Sequence, residues 1–556
     1  MILHVAGAAP RQSPDAAARI VVATAAILTY IPALANGFAY DDLPLIFGDP
    51  RVHELTGWQE ILTRPYWPGA GHELALYRPL TTLSFALDWL LSGGWAPWFH
   101  ATNIALHAAA TLLALELLRR FFPLRAAAAG ALLFAVHPVH SEAVINIAAR
   151  SDLLAATLVL AACALWTRDG SARPRDGTTT CVTALYALAL LAKESAVVLP
   201  ALLALLDVAR DSRAPGHASP IAYLRTRGLA LATLVFPLAG YLALRLAVLD
   251  RTTPAIVHPA AEVLHQRADL LRTALLAWPE YLRLLLFPRT LLADYGPQIL
   301  TPATTWTPRA ALGLGLLAAT TTAGTLAFAR GLRRTGLALL WFPIAILPAS
   351  NLIVTIGVPV AERTLYLPSL TLAFAAAGAT TALRRIRTGT AGRAAILATG
   401  IALLAALAGR AWLRAPDWRS TETVFRALLR DRPDAYRAHW FLARLARANR
   451  QPALATAHYE HALRLWPHRE RLVLEAAAYA VERGDLTRAR QLAEAATHRW
   501  PYNPAGHRIL AATALDLGDT TAAREAARAG LDIHPTDSLL RAIAEAAGRQ
   551  PHGPRH

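Results

Sequence analysis

The sequence predicts an all-α protein in two parts: a polytopic helical bundle embedded in a membrane, then a C-terminal superhelix of short repeats. Three observations predict it. The 556 residues are 55% hydrophobic and only 17% charged, where soluble domains carry roughly 25% charged residues. The apolar excess comes in blocks of about 15–20 residues, the length that crosses a bilayer core as helix. In the C-terminal part, prolines fall at Pro433, Pro467, Pro501 and Pro535, a constant step of 34 residues.

Eleven apolar segments read as spans, near 18–36, 100–118, 124–138, 152–167, 180–193, 195–209, 228–247, 310–329, 336–349, 364–383 and 394–412. Several are short, as tilted or broken helices lining a cavity would be. The first ends in "ALANGFA", which resembles a signal-peptide cleavage site, although its apolar run is long for one. Arginine placement orients the rest. Arg11 and Arg19; Arg119, Arg120 and Arg125; Arg168, Arg173 and Arg175; Arg210, Arg213, Arg225 and Arg227; Arg330, Arg333 and Arg334; and Arg384, Arg385, Arg387 and Arg393 all fall on one side. Three large loops, 37–99, 248–309 and 350–363, are left on the outer side, as is everything after 412. Within them, "LTTLSFALDWLLS" (80–92) reads as an amphipathic helix lying on the outer leaflet. The stretch 275–295 reads the same way, or as a re-entrant pair.

Residues 1–412 therefore form the membrane domain and 413–435 a helical lead-in. Residues 436–540 form three tetratricopeptide repeats and 541–556 a tail. Small residues keep the register: Ala455 and Ala462 before Pro467, Ala489, Ala493 and Ala496 before Pro501, Ala523 and Ala527 before Pro535. The turns "ERGDLTRA" and "DLGDTTAA" recur at the same step. Such superhelices offer a concave surface to peptides.

The net charge of +17 does not point to nucleic acid, because the basic residues sit in short links beside spans. Cys163 and Cys181 both lie in apolar segments and read as neither a disulfide framework nor a metal site. Lys193 is the only lysine.

Ionisable groups at membrane depth are costly and mark function by default. Four clusters stand at the outer ends of spans. In "GFAYDDLPLIFGDPRV", Asp41 and Asp42 either cap the next helix, are merely solvated, or include a general base for an acceptor hydroxyl. If the stretch is extended, the two side chains point opposite ways. In "HPVHSEAVINIAARSD", His137, His140, Glu142, Arg150 and Asp152 form a polar lining for a phosphate and sugar. Zinc lacks a third ligand of good spacing there, and Arg150 and Asp152 could instead pair with each other. Lys193 and Glu194 interrupt "LLAKESAVVLP"; the lysine either snorkels or meets a lipid phosphate. Glu362 and Arg363 precede a span, where the arginine either anchors a helix end or forks onto phosphate. Arg78 joins these as a candidate phosphate-binding cation. Acids and bases gathered on one membrane face fit a transferase with a lipid-phosphate-linked donor: cations stabilise the leaving phosphate, and a carboxylate activates the acceptor.

The segments "GFAYDD", "YRPLTTLSFALDW", "FHATNIALHA", "LLFAVHPVHSEAV", "ARSDLLAA", "LLAKESAVVLPALLALLD", "YLRLLLFPRTLLADY", "WFPIAILPASNL" and "AERTLYLPSL", followed by the repeats, resemble in content and order the transmembrane and tetratricopeptide-repeat O-mannosyltransferases. That family has the GT-C glycosyltransferase fold. The resemblance implies that Asp41 and Asp42 are the catalytic element. It implies a polyprenyl-phosphate sugar as donor, typically mannose, and a Ser or Thr hydroxyl of an extracytoplasmic protein, presented by the repeats, as acceptor. No metal or other cofactor is implied. In a bacterium the protein would sit in the inner membrane with periplasmic repeats. Only three repeats are visible, fewer than in the animal members. Two other readings remain: the same chemistry on a lipid or glycan acceptor, and a non-enzymatic membrane anchor whose repeats assemble a complex.

Overall fold

The computed structural model describes residues 14–54, 57–68, 76–168, 175–210, 227–249, 262–264, 266–386 and 389–549. Arg11, Arg173, Arg213, Arg225 and Arg387 lie outside these. Among the described residues the chain is helical without strands. It divides into two compact units, Met1–Ala427 and Leu428–His556.

The first unit is a bundle of apolar helices: α1 (Pro14–Tyr30), α2 (Pro79–Ser92), α3 (Ala96–Leu118), α4 (Leu124–Val136), α5 (Arg150–Arg168), α6 (Asp176–Ala192), α7 (Leu199–Ala209), α8 (Val235–Leu249), α9 (Pro308–Ala329), α10 (Arg333–Ile346), α11 (Leu370–Leu383) and α12 (Thr390–Arg414). Every apolar segment of the sequence meets a helix, but eleven spans are not confirmed. Among the described residues six helices are long and apolar enough to cross a membrane: Pro14–Ala35, Ala96–Leu118, Ile147–Arg168, Leu229–Leu249, Pro308–Ala329 and Thr390–Trp418. A seventh is added if α4 and Pro138–Ile145, bent by 47°, form one broken span. The others stop early because polar motifs interrupt them, as at His137 and Lys193.

Alanine and glycine let these helices approach closely. A Cβ on Gly130 of α4 would stand 2.4 Å from the Ala373 carbonyl of α11. Around that contact, Phe134, Trp166, Tyr186, Trp341, Tyr366 and Phe374 fill the core.

The bundle has two distinct ends. At one, Asp15 at the start of α1 pairs with Arg119 at the end of α3, and Arg19 pairs with Glu116. Asp207 binds Arg227 at 2.9 Å and the Trp166 indole at 3.0 Å, and Arg333 reaches the carbonyls of Val208 and Arg210. This end collects arginines from the links assigned to one side by sequence. At the other end, α1 runs into residues 31–42. There Asn36 Nδ2 donates to the Ala415 carbonyl at 2.9 Å, Gly37 N to the Arg419 carbonyl at 3.1 Å and Tyr40 N to Thr421 Oγ1 at 2.8 Å. The segment after the last long helix is therefore stitched to the acidic loop.

Residues 80–92 do form a helix, α2, begun by Pro79 at its first position and ended by Gly93 in the left-handed region (φ 62°). Its polarity is inverted: Thr81, Thr82 and Asp88 are buried while Leu87, Leu90 and Leu91 are exposed, as suits a helix with lipid on one side and a polar site on the other. Within the 275–295 stretch Ala277–Leu286 is helical, following the helix Arg267–Leu275, and 287–295 is irregular.

In the second unit, α13 (Tyr436–Ala448), α15 (Glu470–Glu482), α17 (Pro504–Asp516) and α19 (Ser538–Arg549) start 34 residues apart, as do α14 (Pro452–Leu465), α16 (Leu486–Arg499) and α18 (Thr520–Ile533). The repeated turns owe this to two devices. Gly484 and Gly518 take positive φ (74° and 79°), and the following Asp485 and Asp519 cap α16 and α18. Ala455, Ala462, Ala489, Ala493, Ala523 and Ala527 are fully buried between paired helices. Arg488 forks onto Glu460 at 2.9 and 2.8 Å.

Candidate functional site

The site is built at the end of the first unit that carries the acidic pair. Asp41 and Asp42 do not lie in an extended stretch. Tyr40 takes a positive φ of 53°, and Asp42 (φ −63°, ψ −36°) opens a wide helical turn, Leu43–Phe47, without capping it. The two carboxylates still part company, because a turn separates neighbours too. Asp41 is half-buried. Asp42 is 1% exposed, and its oxygens accept from Ala39 N at 3.0 Å and Ala148 N at 2.7 Å. Burial pushes the Asp42 carboxyl up to about 7, against the pull of those two N–H groups.

The cations around it come paired. Arg150 is fully buried. It binds Asp88 at 2.6 Å, Asn103 Oδ1 at 2.7 Å and the Phe99 carbonyl at 2.9 Å, and its guanidinium lies over the rings of Phe85 and Phe99. Lys193 Nζ meets both oxygens of Asp152 at 2.6 Å. Arg150 and Asp152 therefore do not pair with each other, and Lys193 does not snorkel: each has a buried partner from a different element. Arg78 forks onto Glu194 at 3.0 and 2.6 Å and touches Ser151 Oγ at 3.4 Å. Arg363 binds Glu142 through both its backbone N–H and its guanidinium.

These pairs feel one another's charge. Asp42 interacts electrostatically with Asp41 and Arg150, Lys193 with Arg78, Glu194 and Arg363, and Arg363 with Asp152 and Asp41. The structure thus gathers Asp41, Asp42, Arg78, Glu142, Arg150, Asp152, Lys193, Glu194 and Arg363. His137 and His140 are set apart in the core. His137 Nε2 bonds the Leu285 carbonyl at 3.0 Å and His140 Nε2 bonds Ser369 Oγ at 2.7 Å. Glu362 takes its hydrogen bonds elsewhere, its Oε1 accepting from Leu292 N and Tyr295 Oη, while Oε2 has no hydrogen-bond partner among the described residues; it still feels the Glu142 charge, and burial pushes it up to about 7. Among the described residues no group of His, Cys, Asp and Glu could hold a metal ion. Cys163 is buried and Cys181 exposed, both free.

Sequence reasoning missed Asp88, Asn103 and Tyr66. Asp88 carried a signal, as the lone acid in an apolar helix. Tyr66 carried none, being one aromatic among many in a loop beside the membrane.

Compared with known proteins, the chain is similar to protein O-mannosyl-transferase F38B6.6 of Caenorhabditis elegans, 29% identical over 63% of this chain and 49% of that one. It is similar to protein O-mannosyl-transferase TMTC4 of Homo sapiens, 27% identical over 76% of this chain and 63% of that one. With protein O-mannosyl-transferase Tmtc2 of Drosophila melanogaster it is 36% identical over 33% of this chain and 21% of that one. The chain spans about half the length of the curated relatives it matches. No family model matches it.

Proposed function

We propose that the chain is a membrane glycosyltransferase of GT-C type that moves a sugar, mannose by the names of its relatives, from a polyprenyl-phosphate donor to hydroxyls of extracytoplasmic proteins. The observation that carries this reading is the convergence of an acidic pair with four cation–carboxylate pairs at one end of a lipid-facing bundle, opposite the arginine-rich end.

In the reaction, the acceptor oxygen forms a bond to the anomeric carbon as the bond from that carbon to the phosphate oxygen breaks. The electron pair leaves on the lipid phosphate, and the acceptor proton passes to a carboxylate. Asp41 is the base: half-buried, it can be reached by a hydroxyl, and reach comes before acidity. Asp42 is the positioning residue. Its two backbone bonds tie the Ala39 turn to Ala148 and so fix Asp41. The leaving phosphate draws on guanidinium N–H groups. Arg363 and Arg78 suit this, with side chains 22% and 12% exposed against 0% for Arg150; Lys193 is held by Asp152. On this reading the helical repeats lie in the compartment where the acceptor is glycosylated.

The test uses purified protein in detergent with labelled polyprenyl-phosphate mannose and a Ser/Thr-containing protein acceptor. Transfer to the protein is expected, and Asp41→Asn is expected to lower kcat by about 10²–10⁴-fold, the scale of a lost general base. Label appearing only on a lipid or glycan acceptor would replace the acceptor. No transfer from any polyprenyl-phosphate sugar would sink the reading.

A further inference from the structure

Tyr66 is 4% exposed, and its hydroxyl has no hydrogen-bond partner among the described residues. Buried polar atoms in folded proteins are rarely left so, because each costs about 1–3 kcal/mol of desolvation. The position is also elaborately fixed. Asp49 and Arg51, both buried, form a forked ion pair at 2.9 and 2.7 Å. The same guanidinium donates to the Pro65 carbonyl at 2.9 Å and the Tyr66 carbonyl at 3.3 Å, while Tyr66 N donates to the Leu76 carbonyl at 2.7 Å. A buried ion pair is a poor source of stability, and its best-attested use is to specify a geometry. Here it specifies where the Tyr66 backbone sits.

The ring belongs to one apolar cluster with Leu45, Ile46 and Ala148, and Ala148 N donates to the Asp42 carboxylate. The Arg78 guanidinium carbon lies 5.3 Å from the ring centroid. The phenol interacts electrostatically with Arg78 and Arg150 and with both Asp41 and Asp42. Burial pushes it further above its ordinary range, so it stays protonated and can only help an anion by donating.

We propose that Tyr66 is a substrate-contacting residue whose hydroxyl donates a hydrogen bond to a phosphoryl oxygen of the lipid-linked donor, beside Arg78. A phosphate is the fitting acceptor. It is drawn to the guanidinium over the ring, whereas the nearby carboxylates repel it from their own side and leave the sugar to face them. The inference rests on the transferase reading above and names one more group in its site.

The experiment compares wild type with Tyr66→Phe, which keeps the ring and its contact with Arg78. Three quantities are read: the unfolding temperature without ligand, the Kd for polyprenyl phosphate lacking a sugar, and kcat/KM with the labelled donor. Inorganic phosphate serves as a second ligand to separate lipid-borne from free phosphate. The variant is expected to unfold at the same or a higher temperature, since a partnerless hydroxyl is removed. Its Kd for polyprenyl phosphate should rise about 10-fold and kcat/KM should fall by at least that factor. Unchanged Kd and kcat/KM would overturn the proposal. So would a lower unfolding temperature with unchanged binding, the mark of a structural hydroxyl, or loss of inorganic phosphate binding without loss of the lipid. If wild type itself neither binds nor uses a polyprenyl-phosphate sugar, the transferase reading fails first and takes this one with it.

Discussion

Replacing Asp42 by asparagine isolates the buried carboxylate on which the acidic loop is hung. Its carboxyl rises from the ordinary 3.8 to about 7 because burial outweighs the two N–H groups it accepts from. A raised folded value means that the folded protein holds the proton more tightly than the unfolded chain. Stability is then full below about pH 4, falls as pH rises, and levels off above about pH 7. At 1.36 kcal/mol per pKa unit the fall is about 4 kcal/mol. Asparagine cannot ionise, so Asp42→Asn should lack this slope. Glu362 titrates over the same range, so the informative quantity is the difference between variant and wild type. The assay is thermal unfolding of purified protein in detergent from pH 4 to pH 8. The variant should gain on wild type steadily across the window and be the more stable at pH 7.5. Its kcat should still fall by about 10-fold, because the amide can accept from only one of Ala39 N and Ala148 N and turns a donor toward the other. A difference in unfolding temperature that stays constant with pH would refute the reasoning.

Three other outcomes follow from single contacts. Lys193→Gln should cost about 3–5 kcal/mol by stranding Asp152, seen as a lower unfolding temperature, and the double variant Lys193→Met with Asp152→Leu should recover most of it; a thermally silent Lys193→Gln would mean the pair is not buried. Truncation after Ala427 should leave a monodisperse first unit, whereas truncation after Trp412 should not, because it removes the acceptors that Asn36, Gly37 and Tyr40 use; size-exclusion chromatography distinguishes them. Gly130→Ala should lower the unfolding temperature, its Cβ meeting the Ala373 carbonyl at 2.4 Å, while Gly240→Ala, with nothing within 4 Å, should be neutral or slightly stabilising in the interior of α8.

The helical character and the repeat step were legible because both are dictated locally. A bilayer demands apolar length, and a helical hairpin demands its glycine, its cap and its small residues at fixed offsets. The span count was not, because whether α6 or α11 crosses depends on how neighbours bend and pack. Within the site, the residue types and their membrane face could be read from the sequence. Their partners could not: Lys193 pairs with a residue 41 positions away and Arg363 with one 221 positions away, and only the packing of α6 on α5 and of α11 on α4 brings those ends together. The histidines show the same limit. His137 and His140 stand three apart in sequence, yet each bonds a group from a distant element, Leu285 and Ser369, that spacing could not name.

The pairing of every candidate cation also changes what the site can do. A cluster of free cations would bind phosphate by net charge and hold the product as tightly as the donor. Here Arg78, Arg150, Lys193 and Arg363 are each offset by a carboxylate, so the site carries no surplus positive charge. In the proposed transferase, phosphate recognition would then fall to donors that the pairs leave over: the Arg78 nitrogen that makes only a 3.4 Å contact with Ser151, the guanidinium nitrogens of Arg363 not facing Glu142, and the Tyr66 hydroxyl. Such donors favour charge where it develops on the departing oxygen more than they favour the resting diester. On the proposed reading, a site built this way would release its lipid phosphate readily, as multiple turnover of a membrane-borne donor requires.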